Sequence, residues 1–429
     1  MSRKLTTLFA LLMVVSMLLA ACAPAAPAPA AEEAPAAEPA APAAEEPTAA
    51  PAAEEPTAAP AAEEPAANLP AYDPNFFDQA AYETELKYMT MTPEGDAATP
   101  WLQYIDPKWV DTSAYKKDGP YTLCFSNAGV FNPWRQSGFT TMTVQAEVLK
   151  EQGVLKDFIV TDAEGKDEKQ IADIKDLLAS GKCDVLIVSP NTTEALTPAV
   201  EEACKTVPTI VFDRGVNTDC PVSFITAIGG YAFGAAGAEF IAKNIKEGGK
   251  VLAIRIAPGI DVLEHRWSAA YQFFKDKNIE VVGMEFTGDK NDKTKAVVED
   301  YIDRYGTIDA IWMDAGATTV AAIEAFEDRG LPIPIVTGED QMDYLAKWKE
   351  TGMTGIAPVF SNFQWRTPVL AAVKILQGEQ VPARWTLPQP VITNENLDQY
   401  YNANMPPQAY AMCGCEDLPG YPEKWGGKK

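Results

Sequence analysis

Residues 183–214 read CDVLIVSPNTTEALTPAVEEACKTVPTIVFDR. The apolar run that ends at Val188 predicts a buried strand, residues 193–206 predict an amphipathic helix, and residues 209–212 predict a second strand. Strands without polar alternation are typical of parallel sheets that helices cover on both faces. This stretch therefore predicts a strand–helix–strand unit of an α/β fold.

The same alternation extends in both directions from this unit. Upstream, strands are predicted at 121–125 and 158–160, and helices at 135–152 and 169–179. Downstream, a strand at 222–226 leads into a second series. Its helices are predicted at 233–246, 265–275, 293–304 and 318–329, and its strands at 250–254, 310–313 and 333–336, with one more strand that opens at 281–282. Two successive series predict two doubly wound parallel-sheet lobes.

The amino terminus carries the pattern of an export signal. The basic start Ser2-Arg3-Lys4 precedes an apolar run at 5–19 that is short for a membrane-spanning helix. Leu19-Ala20-Ala21-Cys22 resembles the lipobox of bacterial lipoproteins, in which cleavage precedes a cysteine that carries a diacylglycerol. We expect a signal peptide over 1–21 and an extracytoplasmic protein that a lipid on Cys22 anchors to the cell membrane. An ordinary cleaved signal with a chance cysteine is the alternative.

The remaining chain divides by composition. Residues 22–68 are nearly all Ala, Pro and Glu, which predicts a disordered, extended spacer because such a stretch cannot bury a core. Residues 69–118 show no clean period and predict an irregular extension that packs on the body. The predicted N-terminal lobe comprises 119–228 and 359–388, and the predicted C-terminal lobe and tail comprise 229–358 and 389–429.

Charge and cysteine content limit the partners. A formal net charge of −25 disfavours nucleic acid, which a protein usually binds through basic side chains. Beyond Cys22, six cysteines remain that an exported protein can pair. Sequence does not fix their connectivity, but Cys204 and Cys220 flank one predicted strand and are the favoured pair, whereas Cys413-Gly414-Cys415 either closes on itself or holds the tail elsewhere. With one histidine, His265, and no C-x-x-C motif, we expect no metal site and no cofactor.

Polar and aromatic side chains follow several predicted strands, where parallel sheets usually bind ligands. They are Asn132, Trp134, Asp213, Arg214, Arg266 and Glu339 or Asp340. Carboxylates accept hydrogen bonds from sugar hydroxyls, Arg and Asn donate them, and aromatic rings stack on the apolar faces of a sugar ring. Each residue also has a structural alternative: a surface ion pair for Asp213 and Arg214, a core position for Trp134, and a helix start at Asn132. Together these residues predict a sugar site.

From about Tyr121 to Pro390 the chain resembles the type I periplasmic sugar-binding proteins, the ribose-, glucose- and xylose-binding subunits of ABC importers. The motifs that carry the resemblance are Phe131-Asn132-Pro133-Trp134, Ser189-Pro190-Asn191, Val211-Phe212-Asp213-Arg214 and Thr337-Gly338-Glu339-Asp340. The resemblance implies two lobes that hinge shut over a monosaccharide, a pentose or hexose, and an ABC permease as partner. It implies that the sugar is held from one lobe by Asn132, Trp134, Arg135, Asp213 and Arg214, and from the other by Arg266, Asp314 and Glu339 or Asp340.

The chain also departs from the ribose-binding pattern. Arg135 follows Trp134 where a second aromatic residue is usual, Asp314-Ala315-Gly316 replaces a frequent Asn-Asp pair, and Pro358 replaces a common Gln. These departures leave two possibilities open: that the sugar is not ribose, and that Arg135 is turned to solvent.

The sequence also bears on functions other than sugar capture. Two carboxylates can serve a glycosidase, but the chain lacks a G-x-S-x-G motif and a phosphate loop, so we expect no enzyme. A sugar-responsive repressor shares the two-lobe architecture but needs an N-terminal helix-turn-helix, where this chain has an export signal. A sensor that presents bound sugar to a membrane receptor remains the alternative to an importer subunit.

Overall fold

The computed structural model describes residues 70–429, so the predicted signal peptide, the Cys22 anchor and the 22–68 spacer lie outside the described residues. Within residues 70–429, no helix is both long enough and apolar enough to cross a membrane.

Helices and strands alternate through most of the described chain. The helices are α1 Gln79–Tyr88, α2 Pro133–Glu151, α3 Asp167–Ala179, α4 Thr193–Cys204, α5 Tyr231–Asn244, α6 Asp261–Asp276, α7 Asn291–Tyr305, α8 Thr319–Glu327, α9 Met342–Thr351, α10 Thr367–Gln377 and α11 Leu397–Tyr400. The strands are β1 Trp109–Val110, β2 Tyr121–Asn127, β3 Leu155–Asp162, β4 Val185–Ser189, β5 Thr209–Phe212, β6 Ser223–Ala227, β7 Lys250–Arg255, β8 Glu280–Phe286, β9 Ala310–Met313, β10 Ile335–Thr337, β11 Gly355–Pro358, β12 Val381–Pro382, β13 Arg384–Leu387 and β14 Val391–Thr393.

Most strands belong to two six-stranded sheets, one in each lobe. The first sheet has the order β13-β6-β5-β4-β2-β3 and is parallel throughout. The second has the order β14-β11-β10-β9-β7-β8, in which only the edge strand β14 is antiparallel. The predicted fold of two doubly wound lobes is confirmed.

The central strands are buried because helices cover both faces of each sheet. All residues of β4, β5, β9 and β10 are buried, as their continuous apolar runs predict. Strand β6 alternates between buried and partly exposed residues, so one of its faces is less completely covered. The carboxyl ends of the strands in each sheet meet at one edge, which the loops that follow them line.

Between residues 228 and 390 the chain passes between the lobes three times, and these three crossings lie side by side. They are residues 228–230, 359–366 and 388–390, which connect β6 to α5, β11 to α10 and β13 to β14. The Val359 N–H donates to the Pro390 carbonyl at 2.9 Å, and the Ser361 hydroxyl donates to the Pro388 carbonyl at 3.0 Å. These bonds define a multi-strand hinge of the kind that the resemblance implies.

The stretch expected to be irregular contains helix α1. Asp78 caps it by accepting from the Ala81 N–H at 2.7 Å, but no residue of the helix is fully buried, so no apolar period marks it in the sequence. Glu85 of α1 accepts from the Ala232 N–H at the start of α5. The extension then runs to the first lobe, where β1 pairs with β12.

Disulfides join all six cysteines of the described residues. Cys204 bonds to Cys220 across β5, Cys413 bonds to Cys415 within the tail, and Cys124 on β2 bonds to Cys183 just before β4. The Cys124–Cys183 pair ties neighbouring parallel strands together.

Candidate functional site

A cavity lies between the lobes, at the carboxyl ends of both sheets. Seven of the residues predicted from sequence line it: Asn132, Trp134, Arg135, Asp213, Arg214, Arg266 and Glu339. A larger surface depression lies at the amino ends of the second sheet, but it is lined by residues such as Lys246, whose side chain is 76% exposed, and it lacks a comparable set of buried charges. The interlobe cavity is therefore the candidate site.

Arg135 is buried in the lining of the cavity, so the alternative that it is turned to solvent is wrong. Its guanidinium donates to Asp213 Oδ2 at 2.8 Å, to Asn127 Oδ1 at 2.9 Å and to Ser189 Oγ at 2.8 Å, and its Nε donates to the Gly129 carbonyl. Residues at the ends of β2 and β4 thus supply polar partners that sequence spacing did not show. Burial lowers the pKa of Arg135 to about 10, against the opposing effect of Asp213, so Arg135 stays charged at neutral pH.

Asp213 lines the cavity in an unusual backbone conformation. It directly follows β5 and has a φ of +69°, a conformation that residues other than glycine rarely adopt and that often marks functional sites. Its Oδ2 accepts from Arg135 and, at 3.3 Å, from the Ser189 hydroxyl. Among the described residues, no donor reaches its other oxygen, Oδ1, which leaves that acceptor available.

Asn132 caps α2 and also contacts the opposite lobe. Its side-chain oxygen accepts from the Arg135 N–H at 2.9 Å, as the predicted helix start requires. Its Nδ2 donates to Asp289 Oδ2 at 2.8 Å, and Asp289 lies just after β8 in the second lobe. Asn132 therefore forms an interlobe hydrogen bond at the edge of the cavity.

Trp134 provides an aromatic wall that the hinge holds in place. Its indole N–H donates to the Phe360 carbonyl at 2.9 Å, and its ring stacks on the Phe360 ring with centroids 5.4 Å apart. Phe360 belongs to the second hinge crossing and also lines the cavity. The apolar surface of the site is thus attached directly to the element on which the lobes turn.

Arg266 and Glu339 form the charged side of the second lobe. Arg266 lies on α6, where its Nε donates to the Gly229 carbonyl at 2.7 Å and its Nη1 donates to Glu339 Oε1 at 3.3 Å and to the Asp314 carbonyl. The guanidinium carbon lies 3.9 Å from the Phe233 ring centroid and 4.7 Å from that of Phe360. Burial raises the pKa of Glu339 to about 8, although Arg266 opposes this shift.

Arg214 lies in the same cavity and donates to the Asn191 carbonyl. Its guanidinium carbon is 5.9 Å from the ring centroid of Phe131, which is half exposed.

The structure does not bring Asp314 or Asp340 into the lining of the cavity. The Asp314 carboxylate accepts from Arg255 Nε at 3.3 Å and from the Ile256 N–H at 3.0 Å, so its side chain is used within the second lobe. Asp340 Oδ2 accepts from the Met412 N–H at 2.6 Å and so binds the C-terminal tail. Each follows a strand, as the sequence showed, but its side chain points to a protein partner that sequence does not reveal.

Several lining residues were not predicted. Asp289, Phe360 and Tyr410 contribute polar or aromatic groups, and Ile256, Val262 and Leu263 contribute apolar surface. Asp289 has a φ of +56°, and burial raises its pKa. Its position shortly after β8 was the available signal, but the sequence predicted only that a strand opens at 281–282 and did not locate its end.

Two hinged α/β lobes with buried charges and aromatic rings facing one cleft define the class of bilobal ligand-binding proteins. The model of the periplasmic binding protein domain family matches residues 124–380, and the chain belongs to this family. The predicted resemblance to type I periplasmic sugar-binding proteins is confirmed, and the family is one of binding proteins rather than enzymes.

Named relatives are similar in sequence, and solved structures are similar in fold. The chain is 26% identical to a ribose import binding protein of Bacillus subtilis over 52% of this chain and 72% of that protein. An ABC transporter solute binding protein from Thermobispora bispora is similar in fold, with a TM-score of 0.61, 21% identity and coverage of 72% of this chain and 97% of that one. A carbohydrate transporter solute binding protein from Agrobacterium radiobacter, solved with D-arabinose, gives a TM-score of 0.57 and 22% identity, with coverage of 65% of this chain and 95% of that one.

Proposed function

We propose that this protein captures a monosaccharide, a pentose or hexose, in the interlobe cleft and delivers it to an ABC importer. The observation that carries the proposal is the cavity itself, in which Asp213, Arg214 and Arg266 lie beside the rings of Trp134 and Phe360. The named relatives, a ribose import binding protein and a protein solved with D-arabinose, support a ligand of this class.

The available hydrogen-bonding groups suit sugar hydroxyls. Asp213 Oδ1 is an acceptor without a protein donor, and within the described residues no acceptor reaches Nη2 of Arg266, which leaves donors on the opposite side of the cleft. Charged partners of this kind form short, directed hydrogen bonds with hydroxyl groups. The rings of Trp134 and Phe360 supply apolar surface for the C–H faces of the sugar.

Contacts between the lobes explain how the cleft holds its ligand. The Gly215 N–H of the first lobe donates to Asp261 Oδ2 of the second at 2.7 Å, and the Asn132–Asp289 bond lies on another side of the cavity. Both bonds join loops at the carboxyl ends of the strands and need the lobes close together. The sugar docks on one open lobe, and hinge closure then forms these bonds and excludes water from the cavity.

The export signal and Cys22 complete the proposal. A lipid on Cys22 anchors the protein outside the cytoplasm, and the Ala/Pro/Glu spacer holds the binding lobes away from the membrane while keeping them near the permease. An anchored capture protein of this kind remains beside its transporter after each delivery.

A thermal-shift screen across pentoses and hexoses tests the ligand class. A sugar that binds only the folded protein raises its melting temperature with increasing concentration, because binding shifts the unfolding equilibrium. We expect at least one monosaccharide to do so, and epimers of it to be weaker. If no pentose or hexose raises the melting temperature while an amino acid or another solute does, the proposed ligand class is wrong.

A further inference from the structure

The C-terminal tail crosses from one lobe to the other. Its first part binds the second lobe, where the Met342 N–H donates to the Ala409 carbonyl at 2.8 Å and the Asp343 N–H donates to the Pro407 carbonyl at 2.8 Å. Gln341 and Tyr410 form an antiparallel bridge between the start of α9 and the tail. The backbone of the tail is therefore hydrogen-bonded to the loop that carries Glu339 and Asp340.

The second part of the tail binds the first lobe. Arg366 forms a bidentate ion pair with Asp417, with distances of 2.6 and 2.9 Å, and also donates to the Gly414 carbonyl at 2.8 Å. Further along, the Trp425 indole N–H donates to Thr141 Oγ1 on α2 at 3.1 Å. These contacts fix the tail at both ends of its crossing.

A tight turn between the two parts lies against the hinge. The Cys413–Cys415 disulfide closes this turn, and Gly414 has a φ of +58°. A Cβ on Gly414 would lie 2.5 Å from the Cβ of Phe363, so the tail approaches the hinge more closely than a larger residue allows. The turn sets where the preceding residues, including Tyr410, enter the cleft.

Tyr410 is the tail residue that lines the cavity. It is 2% exposed, and its hydroxyl donates to Gln341 Oε1 at 2.8 Å, which fixes the ring. Tyr410 lies beyond residue 380, where the match to the family model ends. A wall of the cavity thus comes from a part of the chain outside the residues that match the family model.

We propose that Tyr410 is a specificity-determining residue and that the tail is a built-in wall of the sugar site, which limits the size and shape of the ligand. This inference rests on the proposed function. The hydroxyl is occupied by Gln341, so it is the ring that contacts the ligand, and the ring is held by the Gln341 bridge and by the backbone bonds of Ala409 and Met412 to the second lobe.

Titration calorimetry with three variants tests the inference, using the sugar that best stabilises the wild type and a panel of larger sugars. Tyr410→Ala should weaken binding of the best sugar about tenfold or more and improve the relative binding of larger sugars, because a removed wall leaves unfilled space. Tyr410→Phe, which keeps the ring, should stay within about threefold of the wild type. Tyr421→Ala, a change to the same residue type in the same tail but outside the cavity, serves as the matched control.

Hydrogen exchange on the wild type gives a second measurement that does not depend on a folded variant. The backbone N–H groups of Ala411 and Met412 donate to Asp340, and we expect added sugar to slow their exchange along with that of the loop after β5. This result decides the question if Tyr410→Ala fails to fold.

The outcomes separate the two proposals. If the wild type binds sugar but Tyr410→Ala matches Tyr421→Ala in affinity and in preference, the inference about the tail is overturned while the proposed function stands. The same holds if sugar protects the loop after β5 and leaves the tail amides unchanged. If the wild type binds no sugar, both proposals are overturned.

Discussion

Arg135 and Asp213 form an ion pair in which both side chains are at least 95% buried. Removal of one partner of such a buried pair destabilises a protein strongly, because the other charge is left in a poorly solvated place. Ser189 and Asn127 also bind Arg135, but neither carries a compensating charge. The carboxylate of Asp213 therefore has a structural role as well as its proposed role in binding.

Replacing Asp213 alone should destabilise the protein. We expect Asp213→Ala to lower the free energy of unfolding by about 3 kcal/mol, because Arg135 stays buried without its carboxylate. Urea unfolding followed by circular dichroism measures the change, and Asp157→Ala, whose side chain is half exposed, should change it by less than about 0.5 kcal/mol. Equal stability of the two variants would show that the pair is not needed for Arg135 to remain buried.

Buried carboxyl groups make stability depend on pH. Burial raises the pKa of Glu339 to about 8 and that of Asp340 to about 7, so the folded protein binds protons that the unfolded chain has released. Stability from these groups is present at low pH and is lost as pH rises through their folded pKa values. Burial lowers the pKa of His265 to about 4, so this residue makes stability rise with pH. It does so only below the ordinary pKa of histidine, near 6.5.

The melting temperature should therefore fall between about pH 6.5 and about pH 8, where only the carboxyl groups contribute. We expect Asp340→Asn to reduce this fall, because the amide still accepts from the Met412 N–H but does not ionise. Asp398→Asn, on an exposed side chain, is the control and should leave the fall unchanged. A profile that rises with pH over this range, or an identical fall in both variants, would contradict the assignment.

Helices α5 and α6 pack closely enough to position Arg266. A Cβ on Gly234 of α5 would lie 1.9 Å from the carbonyl oxygen of Arg266, which is backbone and cannot swing aside. The same helix has a second glycine, Gly237, where a Cβ would lie 3.3 Å from Trp312 Nε1. One helix thus offers a severe test of its contact with α6 at Gly234 and a milder control at Gly237, which faces the sheet.

We expect Gly234→Ala to push the two helices apart, lowering the melting temperature and weakening sugar binding about tenfold or more as Arg266 shifts. Gly237→Ala should have the smaller effect on both quantities, since its neighbour needs to move only a few tenths of an ångström. Thermal melting and calorimetric titration measure the two effects. If Gly237→Ala proved the more damaging change, the close approach at Arg266 would not be what positions it.

The order of helices and strands from β2 to β10 was predictable from sequence, because continuous apolar runs mark buried parallel strands and a helical period marks amphipathic helices. Helix α9 and strands β11 to β14 were not predicted. The ends of the elements from β2 to β10 were less predictable. Helix α6 begins at Asp261, one turn before its predicted start, and the added turn contains the buried Val262 and Leu263. Helix α1 was missed because it buries no residue completely. Local pattern reveals an element only when one of its faces is apolar.

The candidate site was predictable only in part. Asp213 and Arg266 were found because they follow strands or begin helices at the expected edge of the sheet. Asp314 met the same criterion, yet its carboxylate binds Arg255, a partner that only the folded structure reveals. Tyr410 could not be found this way, because the tail reaches the cleft after a crossing that no local pattern encodes.

At the scale of the whole molecule, the extension and the tail both connect the lobes around the hinge. The extension binds α5 of the second lobe through Glu85 and continues to β1, which pairs with β12 beside the first sheet. The tail binds the second lobe at Tyr410 and the first at Trp425. The hinge therefore turns with two additional segments attached to both of the lobes that it joins.

The proposed anchoring of the whole molecule depends on one residue, Cys22. We expect Cys22→Ser to release the protein from the membrane fraction, because the thiol proposed to carry the lipid is lost. Fractionation of cells that express the variant measures this, and purified Cys22→Ser should bind sugar like the wild type, since the binding lobes are unchanged. Retention of the variant in the membrane fraction would contradict lipid attachment at Cys22.

Titration of sugar into the wild type and into Asp213→Asn tests the central claim, that the buried polar cleft binds a monosaccharide, most directly. The asparagine keeps the shape of the side chain but loses the charge that accepts from sugar hydroxyls. We predict saturable binding of one sugar per protein, weakened about tenfold or more in Asp213→Asn, with Asp157→Asn equal to the wild type. Equal binding by all three proteins, or no binding of any pentose or hexose by the wild type, would contradict the account.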